Sequence, residues 1–210
     1  MISTAIEVLD HPLIQHKLMR IRDVSTPPDV FRALVSQVAG LMVFQISRDL
    51  PVRDVDVDTP LETTTCSRLA GPVTIVPILR AGIGMADGIT SLMPEARTGH
   101  VGLYRNEETL EPVEYYCKLP DDIHAGPVFL VDPMLATGGS AIAAVRLLEA
   151  RGCQDIRLVC LVAAPEGAAA MAQQCPNVAV FTAALDRQLN DLGYILPGLG
   201  DAGDRIFGTR

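Results

Sequence analysis

The sequence predicts an α/β fold, with a central, mainly parallel β-sheet flanked by helices. Three observations carry this expectation. Short runs rich in Val, Ile and Leu recur at 73–78, 100–104, 128–132, 156–163 and 178–182. Segments with helical character lie between several of them, at 84–92, 140–151 and 166–174. Strand runs that alternate with helices build a parallel sheet covered on both faces. In such sheets ligands bind beyond the carboxyl ends of the strands.

Taken in order, the first sixty residues read as an accessory layer. Residues 11–20 carry apolar side chains at helical spacing, with Lys17 and Arg20 toward the end. Ser25-Thr26-Pro27-Pro28-Asp29 reads as a helix start: cap candidates, Pro in the first turn, then an acid. Val30, Phe31, Leu34, Val38 and Leu41 continue one helical face to about Asp49. Val52, Val55 and Val57 among charges predict a short edge strand. The core follows over 61–184, and residues 185–210 form a closing segment of the same single domain.

Composition narrows the classes of function. The 210 residues suffice for one sizeable core, and 49% are hydrophobic, yet no apolar run approaches bilayer length. The first ten residues hold two acids and no base, unlike a secretory signal, so a cytoplasmic location is expected. Five scattered cysteines without a C-x-x-C pair argue against zinc and against a disulfide framework. A net charge of −8 argues against a nucleic-acid footprint. An anionic ligand would have to be held by local donors and a few placed arginines.

The chemistry concentrates in Val131-Asp132-Pro133-Met134-Leu135-Ala136-Thr137-Gly138-Gly139-Ser140. An apolar strand ends on one carboxylate, a Gly-rich turn follows, and a helix begins. Glycines admit close backbone approach, and the helix's first N–H groups face an anion. Phosphate binding and simple helix capping by Thr137 or Ser140 are both compatible with this spacing. Arg80 follows another apolar strand, where it can fork onto a phosphate or pair with an acid at the sheet edge. Residues 104–118 read as a hairpin, either a flap or a solvated loop. The tail from Leu196 to Arg205 shows neither helical nor strand periodicity, and either contacts a small planar ligand or wraps a sheet edge.

These blocks resemble the uracil phosphoribosyltransferases. The resemblance rests on residues 131–140, on Val76-Pro77-Ile78-Leu79-Arg80-Ala81-Gly82, on Tyr104-Arg105-Asn106-Glu107-Glu108-Thr109, and on residues 193–204. It implies a type I phosphoribosyltransferase fold with a flap hairpin and a C-terminal hood over 185–210. It further implies transfer of phosphoribosyl from phosphoribosyl pyrophosphate (PRPP) to uracil, giving UMP and pyrophosphate. The alternatives are another base, or a regulator of the same fold that senses PRPP or UMP.

By the same resemblance, PRPP is bound by Arg80, Arg105, Asp132, Pro133, Met134, Leu135, Ala136, Thr137, Gly138, Gly139, Ser140 and Asp201. Uracil is bound by Ile195, Gly200, Asp201 and Ala202, and Arg105 and Asp201 are the catalytic residues. No protein metal site is implied; Mg²⁺ arrives through PRPP and water. Pro133 stands where many type I enzymes carry a second acid, a substitution the uracil subgroup shares. Family members form homodimers or homotetramers, and GTP activates some of them. Neither a nucleic-acid nor a membrane partner is implied. Arg187 departs from the neutral residue of many relatives.

Overall fold

The computed structural model describes residues 6–105 and 112–209. In chain order the elements are β1 (Glu7–Val8), α1 (Pro12–Arg22), α2 (Pro28–Ile46), β2 (Val52–Asp58), β3 (Thr63–Leu69), β4 (Thr74–Leu79), α3 (Ile83–Leu92), β5 (Arg97–Thr98), β6 (His100–Arg105) and β7 (Pro112–Lys118). After a short 3₁₀ turn come β8 (Val128–Val131), β9 (Met134–Leu135), α4 (Gly139–Glu149), β10 (Ile156–Ala163), α5 (Pro165–Gln174), β11 (Ala179–Leu185), β12 (Gln188–Leu189), β13 (Ile195–Leu196) and α6 (Ala202–Phe207).

Among the described residues the main sheet runs β1-β11-β10-β8-β4-β6-β7, with β5 paired to β4 and β9 to β10. Only β7 is antiparallel, to β6, which makes the expected hairpin. Alternation along the strands divides the core. Ile75, Phe129, Val131, Val159, Leu161 and Phe181 pack toward α1, α2 and α3. Val76, Leu130, Leu158, Cys160 and Val180 pack toward α4 and α5. The two-sided burial expected from the sequence is therefore present.

The core of the first face is α2, with Phe31, Val35, Val38, Met42 and Ile46 fully buried. By length and composition this helix could cross a membrane, contrary to the expectation from hydropathy along the chain. Here half of it is buried against other helices and the sheet, while Phe44 points out of the protein. Its start also differs from expectation: Pro27 occupies the N-cap and no side chain caps the helix. Ser25 instead bonds Asp23, and the Thr26 hydroxyl donates to the Arg20 carbonyl at 2.6 Å. The helix stops at Ile46, where Arg157 Nη1 donates to its carbonyl at 2.5 Å. A buried guanidinium there complements the negative helix end.

Two further expectations need correction. The strand over 52–58 is not an edge of the main sheet; it pairs in full register with β3 as a separate, largely exposed antiparallel arm. Among the described residues the edges of the main sheet are β1, two residues parallel to β11, and β7. The tail is not free of regular structure either. Asp201 caps α6, and Gly208 closes it in the left-handed conformation at φ 67°. A six-residue helix is too short to show a period, although its Asp cap and Gly stop were present in the sequence.

Close approach of α2 and α3 fixes the layer beneath the sheet's carboxyl edge. A Cβ on Gly88 would lie 1.8 Å from the Ser36 carbonyl oxygen, so backbone meets backbone there. Gly88→Ala should therefore force the helices apart and cost about 3 kcal/mol or more. Thermal or denaturant unfolding checks this; a melting point within about 2 °C of the parent chain would contradict the packing described.

Candidate active site

The carboxyl ends of β4, β8, β10 and β11 lie along one edge of the sheet, because β8 pairs in parallel with β4 and β10, and β10 with β11. Each end carries a site candidate or its support. After β8 the chain jogs. The Asp132 N–H donates to Val159 O at 3.1 Å, and the Pro133 carbonyl then accepts both Leu161 N–H (3.0 Å) and Val162 N–H (3.1 Å). Pro133 brings no N–H to the ladder. This bulge turns Asp132 out of the sheet before β9 resumes pairing with β10.

Beyond β9, Gly138 sits at φ 87° and is the N-cap of α4, with no side-chain cap. Thr137 and Ser140 are exposed. The structure thus decides against a capping role for their hydroxyls and leaves the first-turn N–H groups facing outward from an uncapped helix. Beneath the loop, Gly167 of α5 permits close approach: a Cβ there would lie 2.4 Å from the Ala136 carbonyl oxygen. Leu135 turns down into the core under α4, so within 132–140 it is Asp132, Met134 and Ala136 that face the cavity.

The cavity, of about 260 Å³, joins this loop to the tail. Ala81, Asp132, Met134 and Ala136 line one side, and Gly193, Tyr194, Ile195, Gly200, Asp201, Ala202 and Gly203 line the other. Every base-reading candidate therefore meets the start of the phosphate loop. Ala81, Gly193, Tyr194 and Gly203 were in the motif blocks but not among the residues singled out. In the tail, Gly200, Asp201 and Ala202 border the cavity, while Ile206 is buried in the core beside Gly84 of α3.

The two carboxylates differ sharply. Burial, reinforced by the facing Asp201 charge, pushes Asp132 up to about 7 against the opposing Met134 N–H. Asp201 is exposed, and its Oδ1 accepts the Asp204 N–H at 2.9 Å as the α6 cap. Arg80, across a cis Leu79–Arg80 peptide, reaches the tail. Its Nη2 lies 3.5 Å from Asp204 Oδ1, and its guanidinium is 5.6 Å from the Phe207 ring centre. Both charged side chains are substantially exposed, so this contact is weak and exchangeable. Arg105 ends β6, but its side chain lies outside the described residues, as do Asn106, Glu107, Glu108 and Thr109.

Cysteine and histidine contribute nothing to the cavity. All five cysteines are free, and Cys160, behind Asp132 in β10, is pushed up to about 12 by burial. His11 caps α1, its Nδ1 accepting the Leu13 N–H at 3.2 Å. Among the described residues no group of three or more His, Cys, Asp and Glu stands together as a metal cage. Arg187 is exposed, with its N–H donating to Leu196 O at 3.0 Å, and nothing explains its charge.

Asp132 has a consequence for stability. Its folded carboxyl keeps a proton that the unfolded chain gives up near 3.8, so this group lowers stability as pH rises from about 4 to about 7; above that the loss is constant. Asp132→Asn should make the chain more stable at pH 8 by on the order of 2 kcal/mol, and change little at pH 4. Denaturant unfolding at the two pH values tests this; equal effects at both would remove the buried-charge account.

Comparison with known proteins gives this geometry a lineage. Residues 8–209 match the family model for uracil phosphoribosyltransferase. The chain is 60% identical over 205 residues to the uracil phosphoribosyltransferase of Streptococcus pyogenes serotype M1, covering 97% of this chain and 98% of that one. A solved structure from Aquifex aeolicus superposes with a TM-score of 0.92 at 36% identity, over 97% of this chain and 98% of its own. A Bacillus anthracis hypoxanthine-guanine phosphoribosyltransferase shares the fold alone, with a TM-score of 0.52 at 10% identity over 76% and 80% of the two chains. The chain has a type I phosphoribosyltransferase fold, and it belongs to the uracil phosphoribosyltransferase family.

Proposed function

We propose that this chain is a pyrimidine salvage enzyme that transfers the 5-phosphoribosyl group of PRPP to uracil, giving UMP and pyrophosphate. The observation that carries the reading is the single cavity bordered by both Asp132 and the tail residues Ile195, Gly200, Asp201 and Ala202. The family match over 8–209 supports it independently. The whole chain, 1–210, acts as one phosphoribosyltransferase domain, with 185–210 as its base-binding hood.

Residues divide by the ligand part they face. Residues 136–140, with Asp132 to Leu135 leading into them, hold the 5′-phosphate through the uncapped first turn of α4 and the hydroxyls of Thr137 and Ser140. Asp132 accepts hydrogen bonds from the ribose hydroxyls. Charged acceptors strengthen such bonds, so ligand binding favours its carboxylate form. Arg80 exchanges Asp204 for the pyrophosphate, and Arg105 joins it there. Main-chain groups of Ile195, Gly200 and Ala202 read uracil, whose edge alternates acceptors O2 and O4 with the N3–H donor. Cytosine would set a donor against a donor, at a cost on the order of 1–3 kcal/mol.

In the reaction, uracil N1 bonds to ribose C1′, the bond from C1′ to the pyrophosphate oxygen breaks, and N1 gives up its proton. Negative charge builds on pyrophosphate beside Arg80 and Arg105. Asp201 faces the reacting centre, where it orients or accepts the N1 proton or stabilises the ribosyl cation. The β6–β7 hairpin closes over the site and keeps out the water that would hydrolyse PRPP. No side chain is proposed to ligate Mg²⁺; arriving with PRPP and water, it would neutralise charge on the pyrophosphate oxygens.

The same reading places the protein in the cytoplasm as a homodimer or homotetramer. Exposed Phe44 and Leu61, at 83% and 95%, support subunit contact. GTP is included as an effector on the family resemblance. Uracil, cytosine, hypoxanthine and orotate should be compared with PRPP and Mg²⁺ by following labelled nucleotide. UMP from uracil alone is expected, and product from another base with none from uracil would sink the assignment.

A further inference from the structure

The hood carries only the short elements β12, β13 and α6 joined by loops, yet its base-reading carbonyls and amides must hold fixed positions. One largely buried ion pair contributes to this directly at the base-reading loop. Arg22, the last residue of α1, forks onto Asp186 at the end of β11: Nη2 donates to Oδ1 at 2.6 Å and Nη1 to Oδ2 at 2.8 Å. Asp186 is nearly enclosed, its side chain 5% exposed. The same two groups grip one residue of the hood from both sides. Asp186 Oδ2 accepts the Gly198 N–H at 2.9 Å, and Arg22 Nη1 donates to the Gly198 carbonyl at 2.7 Å.

Gly198 is where the hood loop is tightest. It sits at φ 62°, and a Cβ there would lie 2.2 Å from the Ile195 carbonyl oxygen. The turn it closes begins at Ile195 and leads through Leu199 into Gly200, Asp201 and Ala202. Those are the residues placed against the base. Neither Arg22 nor Asp186 lines the cavity.

We infer that Arg22 and Asp186 are positioning residues for base recognition: acting through Gly198, they hold the uracil-reading main chain in register without touching ligand. This rests on the reading of the cavity as a uracil site. The geometry makes it selective. Apart from Asp201, the proposed PRPP contacts lie at the ends of β4, β6 and β8 and at the start of α4, away from Gly198, so loosening the pair should weaken the base far more than PRPP. A fork-shaped donor is required, because one nitrogen must serve both the carboxylate and the Gly198 carbonyl.

The test compares the parent chain with Arg22→Lys, Asp186→Asn and the double variant Arg22→Met/Asp186→Leu. The double variant removes both charges, so no buried charge is stranded and the fold is retained. Steady-state UMP formation gives KM for uracil and for PRPP separately. In the folded variants, uracil KM should rise about tenfold or more, with PRPP KM within about twofold, which corresponds to the loss of one charge-assisted hydrogen bond. Uracil KM unchanged, or both KM values rising together, would overturn the positioning role. Absence of UMP formation by the parent chain would instead fail the uracil reading itself.

Discussion

The last segment of the chain must return over the carboxyl ends of the strands and be held there. The hood has little core of its own; what fixes it is a set of arginine contacts to backbone carbonyls. Arg22 holds Asp186 and Gly198. Arg205 lies 4.3 Å from the Phe31 ring centre and donates to the carbonyls of Ile21, Leu199 and Asp23 at 2.6 to 2.7 Å. Arg32 donates to Ile206 O at 3.1 Å. These bonds satisfy helix-end and loop carbonyls that burial would otherwise leave unpaired. They tie the last residues of the chain to the first two helices, and the cavity exists because of that tie.

Within the cavity the chemistry follows from unequal solvation of two acids. Asp132 is turned into the cavity by the bulge at Pro133, half-buried there, and shifted up to about 7. Asp201 stays at the surface, where capping α6 also fixes its direction. A desolvated carboxylate near neutrality is costly to the fold, and such costs gather where a ligand will repay them. Arg80 is spared that cost: it rests on Asp204 in a weak, exposed contact that an anionic ligand could displace.

Legibility in the sequence followed the range of the interaction. The strand, carboxylate, Gly-rich turn and helix at 128–149 are contiguous, so the sequence alone showed the strand–turn–helix unit and the carboxylate Asp132 that the structure places at the cavity. Arg80 could be placed because its strand immediately precedes it. The roles of Arg22 and Asp186 could not, since 164 residues separate them and neither stands in a motif that names its partner. The exposed β2–β3 arm was half missed because Thr63 to Leu69 lacks the apolar alternation of a packed strand. The α6 helix escaped because six residues carry too little period, although Asp201 and Gly208 marked its ends. Family resemblance supplied the base, which no pattern of these residues specifies unaided.

The central claim is that the β8–α4 loop and the hood form one site that holds a nucleotide between them. A crystal structure of this chain with UMP tests it most directly. The account predicts the phosphate against the amides of residues 137–140, the ribose hydroxyls on Asp132, and the uracil edge against the main chain of Ile195, Gly200 and Ala202. Phosphate seated elsewhere, or uracil turned away from the hood while Arg22 and Asp186 remain paired, would contradict it.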